Sequence, residues 1–206
     1  MKIVEQSFKI IQIPNGIDSL KLITKIGYVS HGTNKEITEE SARKFVKRHC
    51  IESVPQHGTL LEFGDIIVEV ITDRAIANEF VRHRIASYNQ ESTRYVWENE
   101  LEVIAPLGLK EKSPRAYLHW YHACEDAEKY YKYMKIEGAT AEECRDVLPL
   151  STATKIVMKL NYRSWRNFFY LRADKHAHPK ARQLANMLLK EFKKRIPEVF
   201  NDFEVD

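Results

Sequence analysis

Residues Arg82-His83-Arg84-Ile85-Ala86-Ser87-Tyr88-Asn89-Gln90-Glu91-Ser92-Thr93-Arg94-Tyr95 limit the fold more than any other stretch of the chain. They hold three arginines, a histidine, two serines, Asn89, Gln90 and Glu91, with too few apolar side chains to form core. Burying so many polar groups without partners is costly. The segment must therefore lie at the surface or around a ligand. Arginine stays charged and donates in pairs from a planar fork, which suits phosphate and the imide edge of a pyrimidine. Backbone amides in a turn from Ser87 to Thr93 would complete an anion cradle. An isolated Arg-His-Arg triplet would be only a solvated charged loop, so the weight rests on the whole pattern.

The flanking residues say how this stretch is delivered. Asp65 to Thr72 is dominated by Ile and Val and predicts a strand. Asp73 then caps a helix with Ile76, Phe80 and, one turn on, His83 on its apolar face, so that Asn78, Glu79 and Arg82 project from neighbouring turns. The cradle thus begins at a helix C-terminus, and its positive field has to come from arginines and not from the helix dipole.

Towards the N-terminus, Lys2 to Ile13 predicts a strand that Pro14-Asn15-Gly16 ends in a turn. Asp18 is expected to cap a short helix, Ser19 to Ile26, before a polar stretch from Gly27 to Gly32. Thr38, with Glu39 and Glu40, starts a helix to about Arg48 that buries Ala42, Phe45 and Val46. Ser113-Pro114 opens the longest helix and Gly138 closes it. Its stripe of Tyr117, Trp120, Tyr121, Cys124, Ala127, Tyr131 and Met134 reads as core or subunit interface. His119 and His122 lie three apart on this helix without a third ligand at a matching turn, so no metal site is assigned. Thr140 and Glu143 form a capping box for a short helix stopped by Pro149. Thr152 to Leu160 alternates as a strand. A second dense polar cluster follows, Asn161 to Ala177, in which helical spacing puts Arg163, Asn167 and Leu171 on one face with Phe168, Phe169 and Arg172 around it. The last helix, Pro179 to Ile196, turns Leu184, Met187, Leu188 and Phe192 inward and leaves Lys190, Lys193, Lys194 and Arg195 as a solvated face. The expected fold class is α+β, a mainly antiparallel sheet flanked by helices, in one domain over residues 1–206.

Size and charge remove several classes of function. The 206 residues include no apolar run near the ~20 that a membrane span needs, and the opening residues lack a secretory apolar stretch, so the expected location is the cytoplasm. A net charge of +3 is too small for a chain that coats nucleic acid and suits small anionic ligands. Cys50, Cys124 and Cys144 are widely spaced and odd in number, which predicts reduced, packed thiols and neither a disulfide framework nor a zinc ribbon.

The full pattern of Arg82, His83, Arg84, Ser87, Asn89, Ser92 and Arg94 resembles the signature of the flavin-dependent thymidylate synthases. His57-Gly58-Thr59-Leu60-Leu61-Glu62 is similar to that family's second motif, and its spacing to Arg82 fits without a gap. The chain departs from the pattern at Phe63, where members usually carry a second histidine. An overlapping register through Ser53-Val54-Pro55-Gln56-His57 would need an insertion before Arg82 and lose the glutamate. Asn161-Tyr162-Arg163-Ser164, Asn167-Phe168 and Leu171-Arg172-Ala173-Asp174-Lys175-His176-Ala177 resemble a third set of family segments, and Arg145 stands where the family has an arginine ahead of its Leu-Pro.

The resemblance implies reductive methylation of dUMP at C5 to dTMP, with methylenetetrahydrofolate as carbon donor, FAD as redox carrier and NADPH as reductant. It implies Ser30, His57, Thr59, Glu62, Arg82, His83, Arg84, Ile85, Gln90, Asn161, Arg163, Asn167, Leu171 and His176 around FAD. It implies Glu79, Arg82, Gln90, Glu91, Ser92, Thr93, Arg94, Arg145 and Arg172 around dUMP, with Arg172 as the catalytic group at the pyrimidine N3 and a homotetramer that shares its sites among subunits. Many members have Gln where Glu79 stands. The chemistry agrees, because C5 of a uracil is a poor nucleophile and cations at its carbonyls and N3 stabilise the charge that builds as it attacks. Ser92 has no evident base beside it and reads as a hydrogen-bonding group. Two other readings stay open: a methyl- or hydroxymethyltransferase of the same kind acting on another pyrimidine nucleotide, and a non-catalytic nucleotide- or RNA-binding protein with strongly salt-dependent affinity.

Overall fold

The computed structural model describes residues 1–93 and 100–204. The fold is α+β, with an antiparallel sheet flanked by helices. Four strands, β2 (Ser7–Gln12), β3 (Asp65–Asp73), β6 (Ala153–Asn161) and β4 (Ala86–Gln90), pair in the order β2-β3-β6-β4. β3 and β6 supply the alternation that the Ile and Val content predicts: Ile66, Val68 and Val70 are buried, as are Ile156, Met158 and Leu160.

The chain forms two compact units. The first comprises Met1–Ser7, Glu69–Arg82 and Tyr88–Val157. It contains α3 (Arg74–Phe80), α5 (Pro114–Ile136), α6 (Ala141–Cys144) and a short parallel pair, β1 (Lys2–Ile3) with β5 (Glu102–Val103). Asp73 caps α3 by accepting from Ile76 N at 2.8 Å, as its sequence context predicts. Ser113 caps α5, Thr140 and Glu143 form the expected capping box, and Gly138 ends α5 at a φ of 89°, a conformation that favours glycine. Of the α5 stripe, Cys124 and Tyr131 are buried, and Cys124 packs with Leu101, Val103, Trp120 and Leu148.

The second unit comprises Phe8–Val68, His83–Ser87 and Met158–Asp206. It contains α1 (Gly16–Val29), α2 (Glu39–Phe45), a 3₁₀ turn at Gly58–Phe63, α7 (Tyr162–Arg172), α8 (Pro179–Arg195) and α9 (Pro197–Phe200). Its core is aromatic. Trp165, Phe168, Phe169, Phe192 and Phe200 are all fully buried, and their rings meet edge to face or stacked at centroid distances such as 5.1 Å for Trp165–Phe192 and 5.4 Å for Phe169–Phe192. Trp165 satisfies its indole N–H on Ile66 O at 3.2 Å.

Four expectations need correction. The N-terminal strand is two strands, because buried Gln6 interrupts it to accept from Thr72 Oγ1 at 2.7 Å. α1 starts at Gly16 under an Asn15 cap and runs to Val29, since the Asn15 side chain reaches Ile17 N and leaves Asp18 inside the first turn. The helix from Glu39 does not continue as an α-helix to Arg48; from Val46 to Glu52 it winds as a π-helix. Most consequential, Ser87 to Gln90 is not a turn. It belongs to β4, with Ala86, Tyr88 and Gln90 half-buried and Ser87 and Asn89 exposed. Those amides serve the sheet, and Glu91 N donates to Lys155 O.

All three thiols are buried and free, and burial pushes Cys50 up to about 11. A thiol reagent at mildly alkaline pH should therefore leave the native chain unmodified and label all three cysteines once the chain is denatured. Gly64 marks a close approach: a Cβ there would sit 2.3 Å from the ring of Tyr162, which is buried and hydrogen-bonded to Ser19 at 2.7 Å. Gly64→Ala should cost about 1–3 kcal/mol through overpacking, read as a lowered midpoint in urea unfolding.

Candidate functional site

In the second unit, the start of α7 meets the 3₁₀ turn. Asn161 caps α7 by accepting from Ser164 N at 2.8 Å, which points the first turn of the helix at Gly58–Phe63. Arg163 donates to Glu62 at 2.7 Å. The absence of a side chain at Gly58 lets the guanidinium lie close, since a Cβ there would be 3.2 Å from Arg163 Nε. Arg163, Asn167 and Tyr170 line an open cleft of about 460 Å³ together with Gly58, Leu61 and the C-terminal Phe203. This volume lies within the range typical of ligand clefts. It offers the Arg163 guanidinium, the carboxamides of Gln56 and Asn167, the Asp202 carboxylate already held by Arg166, and apolar walls, a set that can take a flat ring system with its anionic group at Arg163.

Glu62 thus meets Arg163 from 101 positions away, and Arg163 lines the cleft with Asn167. Thr59 is exposed on the same 3₁₀ turn. His57, at its start, lies instead on a smaller cleft of about 270 Å³ with His31 and His49, the His49 and His57 rings 5.7 Å apart. Burial, then the neighbouring Arg48, His57 and His31, holds His49 below the ordinary histidine value. Ser30 caps the end of α1 and donates to Gly27 O at 2.8 Å. Arg84, Ile85 and Leu171 are exposed, and His176 is exposed beside Asp174, 2.8 Å away. Asn161 spends its Oδ1 on the helix cap, so any ligand contact falls to its Nδ2.

His83 is the inward member of the Arg-His-Arg triplet, in line with its predicted place on an apolar face. Arg82 and Arg84 are exposed, while His83 is 6% exposed, its ring centroid 5.0 Å from that of Phe168 and its Nε2 accepting from Arg172 Nε at 2.9 Å. Burial and the Arg172 charge push its pKa down to about 4. The ring is neutral at physiological pH.

The first unit holds the remaining candidates. Glu79 and Arg82 sit at the end of α3 and just beyond it. Gln90 ends β4 with its Nε2 donating to Thr154 Oγ1 at 3.2 Å. Glu91 and Ser92 follow, and Thr93 is buried. Arg145 is half-exposed, with Glu142 and Asp146 each 4.0 Å away. Arg94 lies outside the described residues. Sequence reasoning missed Arg74, whose Nη2 donates to Glu91 O at 3.1 Å and ties this segment to the start of α3. It also missed Arg166, which binds Asp202 with both Nη groups and lies over the Phe203 ring at 4.8 Å, so anchoring the C-terminal segment beside the cleft. The only signal for Arg166 was its place in the Asn161–Ala177 cluster. Among the described residues no group of His, Cys, Asp and Glu could hold a metal ion, and no helix is long and apolar enough to cross a membrane.

The α+β fold thus presents a cation-bearing cleft between a helix start and a 3₁₀ turn. The model of the thymidylate synthase complementing protein family matches residues 12–198. The flavin-dependent thymidylate synthase of Mycolicibacterium gilvum is 35% identical over 175 residues, covering 77% of this chain and 68% of that protein. Those of Mycolicibacterium vanbaalenii and Mycobacterium tuberculosis are 33% identical over 174 residues, with the same shares covered. The chain belongs to the thymidylate synthase complementing protein family, and so to a family of enzymes.

The neutral His83 has a consequence for stability. An unfolded histidine titrates near its ordinary value of 6.5, whereas the folded ring refuses the proton until about 4. Between these values the unfolded chain binds more protons, so His83 favours unfolding progressively as pH falls from 6.5 towards 4, by on the order of 3 kcal/mol at the lower end. Urea unfolding as a function of pH should show this slope in the wild type and a shallower one in His83→Gln.

Proposed function

We propose that residues 1–206 act as one functional domain, a flavin-dependent thymidylate synthase that methylates dUMP to dTMP using methylenetetrahydrofolate, FAD and NADPH. The observation that carries this reading is the pairing of Glu62 with Arg163, which lines a ligand-sized cleft with Asn167 and so joins two of the three motifs. The printed names of the relatives support it.

FAD fits the residues present: the Arg163 guanidinium suits its diphosphate, the Asn167 carboxamide its polar edges, and Leu61 and Tyr170 its rings. Bound there, the flavin would supply the hydride chemistry that no side chain can. Thr59, Glu62, His57, Asn161 and His176 extend the same set, together with Ser30, Arg82, His83, Arg84, Ile85, Gln90 and Leu171. Glu62 orients Arg163 through their ion pair. For dUMP, Arg82 and Arg145 hold the phosphate, and Gln90, Glu91, Ser92, Thr93 and Arg94 hold the sugar and base edges. Arg172 places a fixed positive charge at the pyrimidine imide and stabilises the anionic character that C5 attack requires.

The family resemblance further supports a homotetramer that shares its sites among subunits. Glu79, where many members have Gln, makes the pyrimidine the point to test.

A preparation supplied with FAD should be yellow, sediment as a tetramer and convert dUMP but not dCMP to its 5-methyl product, with product mass as the readout. A colourless protein, a stable monomer that still turns over, or preference for dCMP would each remove the corresponding part of the assignment. Arg172→Ala should lower kcat by about 10²–10³-fold, the loss usual for one stabilising donor, while flavin stays bound.

A further inference from the structure

The Arg-His-Arg triplet separates its side chains: the two arginines are exposed and the histidine between them is buried. His83 rests on Phe168, a fully buried member of the aromatic core, and its Nε2 takes the Nε–H of Arg172 from 89 positions away at 2.9 Å. A ring packed in this way has little room to swing. We propose that His83 is a positioning residue for Arg172, a fixed neutral acceptor that sets the plane of its guanidinium. This rests on the reading above, in which Arg172 meets the pyrimidine.

The physical case has two parts. A guanidinium is planar, so holding Nε fixes the directions of both Nη groups, and with them the donors that face a ligand. Nε2 can accept only as a lone pair, which places the ring proton on Nδ1; an imidazolium would oppose donor to donor and charge to charge. Burial and the adjacent positive charge keep it neutral down to about 4.

The test compares His83→Leu, which removes the acceptor, with His83→Gln, which returns one at similar reach. Assayed at saturating FAD, His83→Leu should lower kcat about 10- to 100-fold, the scale of a misplaced reacting group, with a smaller rise in KM for dUMP. His83→Gln should recover most of that kcat. Side-chain nitrogen NMR gives a readout independent of turnover: one slowly exchanging arginine Nε–H should be present in the wild type and in His83→Gln and absent from His83→Leu. Unchanged kcat in His83→Leu, an equal loss in both variants, a loss confined to flavin content, or no protected Nε–H in the wild type would each overturn the proposal. If that signal behaves as expected in a wild type that does not methylate dUMP, the contact stands and the functional reading falls.

Discussion

The rest of the second unit depends on how α7 is held. One side of this helix sends Trp165, Phe168 and Phe169 into an aromatic core with Phe192 and Phe200, and Trp165 adds a buried hydrogen bond to the backbone of β3. Each ring contributes a large apolar area and an orientation preference, so the helix can neither rotate nor slide without opening the core. The polar side then has no freedom left. Arg163 and Asn167 must face the 3₁₀ turn, and Arg172, at the end of the helix, must meet His83.

The same economy explains the composition of the motifs. Residues that look uniformly functional in a linear reading divide into those that can meet a ligand and those that hold them. Asn161 starts the helix, Gly58 makes room for Arg163, Glu62 aims it, and His83 fixes Arg172. Such supporting contacts matter because a guanidinium on a long flexible stem has little directional value until one of its nitrogens is engaged.

The three cysteines and the two α5 histidines have no part in this chemistry. Cys50, Cys124 and Cys144 are packed side chains, and His122 lies 3.2 Å from Glu125 on the surface of α5. Leu118, Tyr130, Tyr133 and Ile136 of that helix are exposed and lie outside the predicted stripe, of which Cys124 and Tyr131 are buried in the chain itself.

The strands at Asp65–Asp73 and Ala153–Asn161, the caps at Thr38, Asp73, Ser113 and Thr140, and the long helix closed by Gly138 were legible in the residues alone, because each is set by a local rule of alternation, capping or chain stiffness. So were the two dense polar clusters, Arg82–Arg94 and Asn161–Ala177. What the residues could not disclose was pairing. A strand made of Ala86, Ser87, Tyr88, Asn89 and Gln90 has almost no apolar contrast to betray its alternation, so only its pairing in the sheet identified it. Likewise, the spacing of His83 from Ile76 and Phe80 turned it inward but said nothing of what it would meet there. That was decided by Phe168 and Arg172, brought to His83 from far along the chain by the packing of an aromatic core.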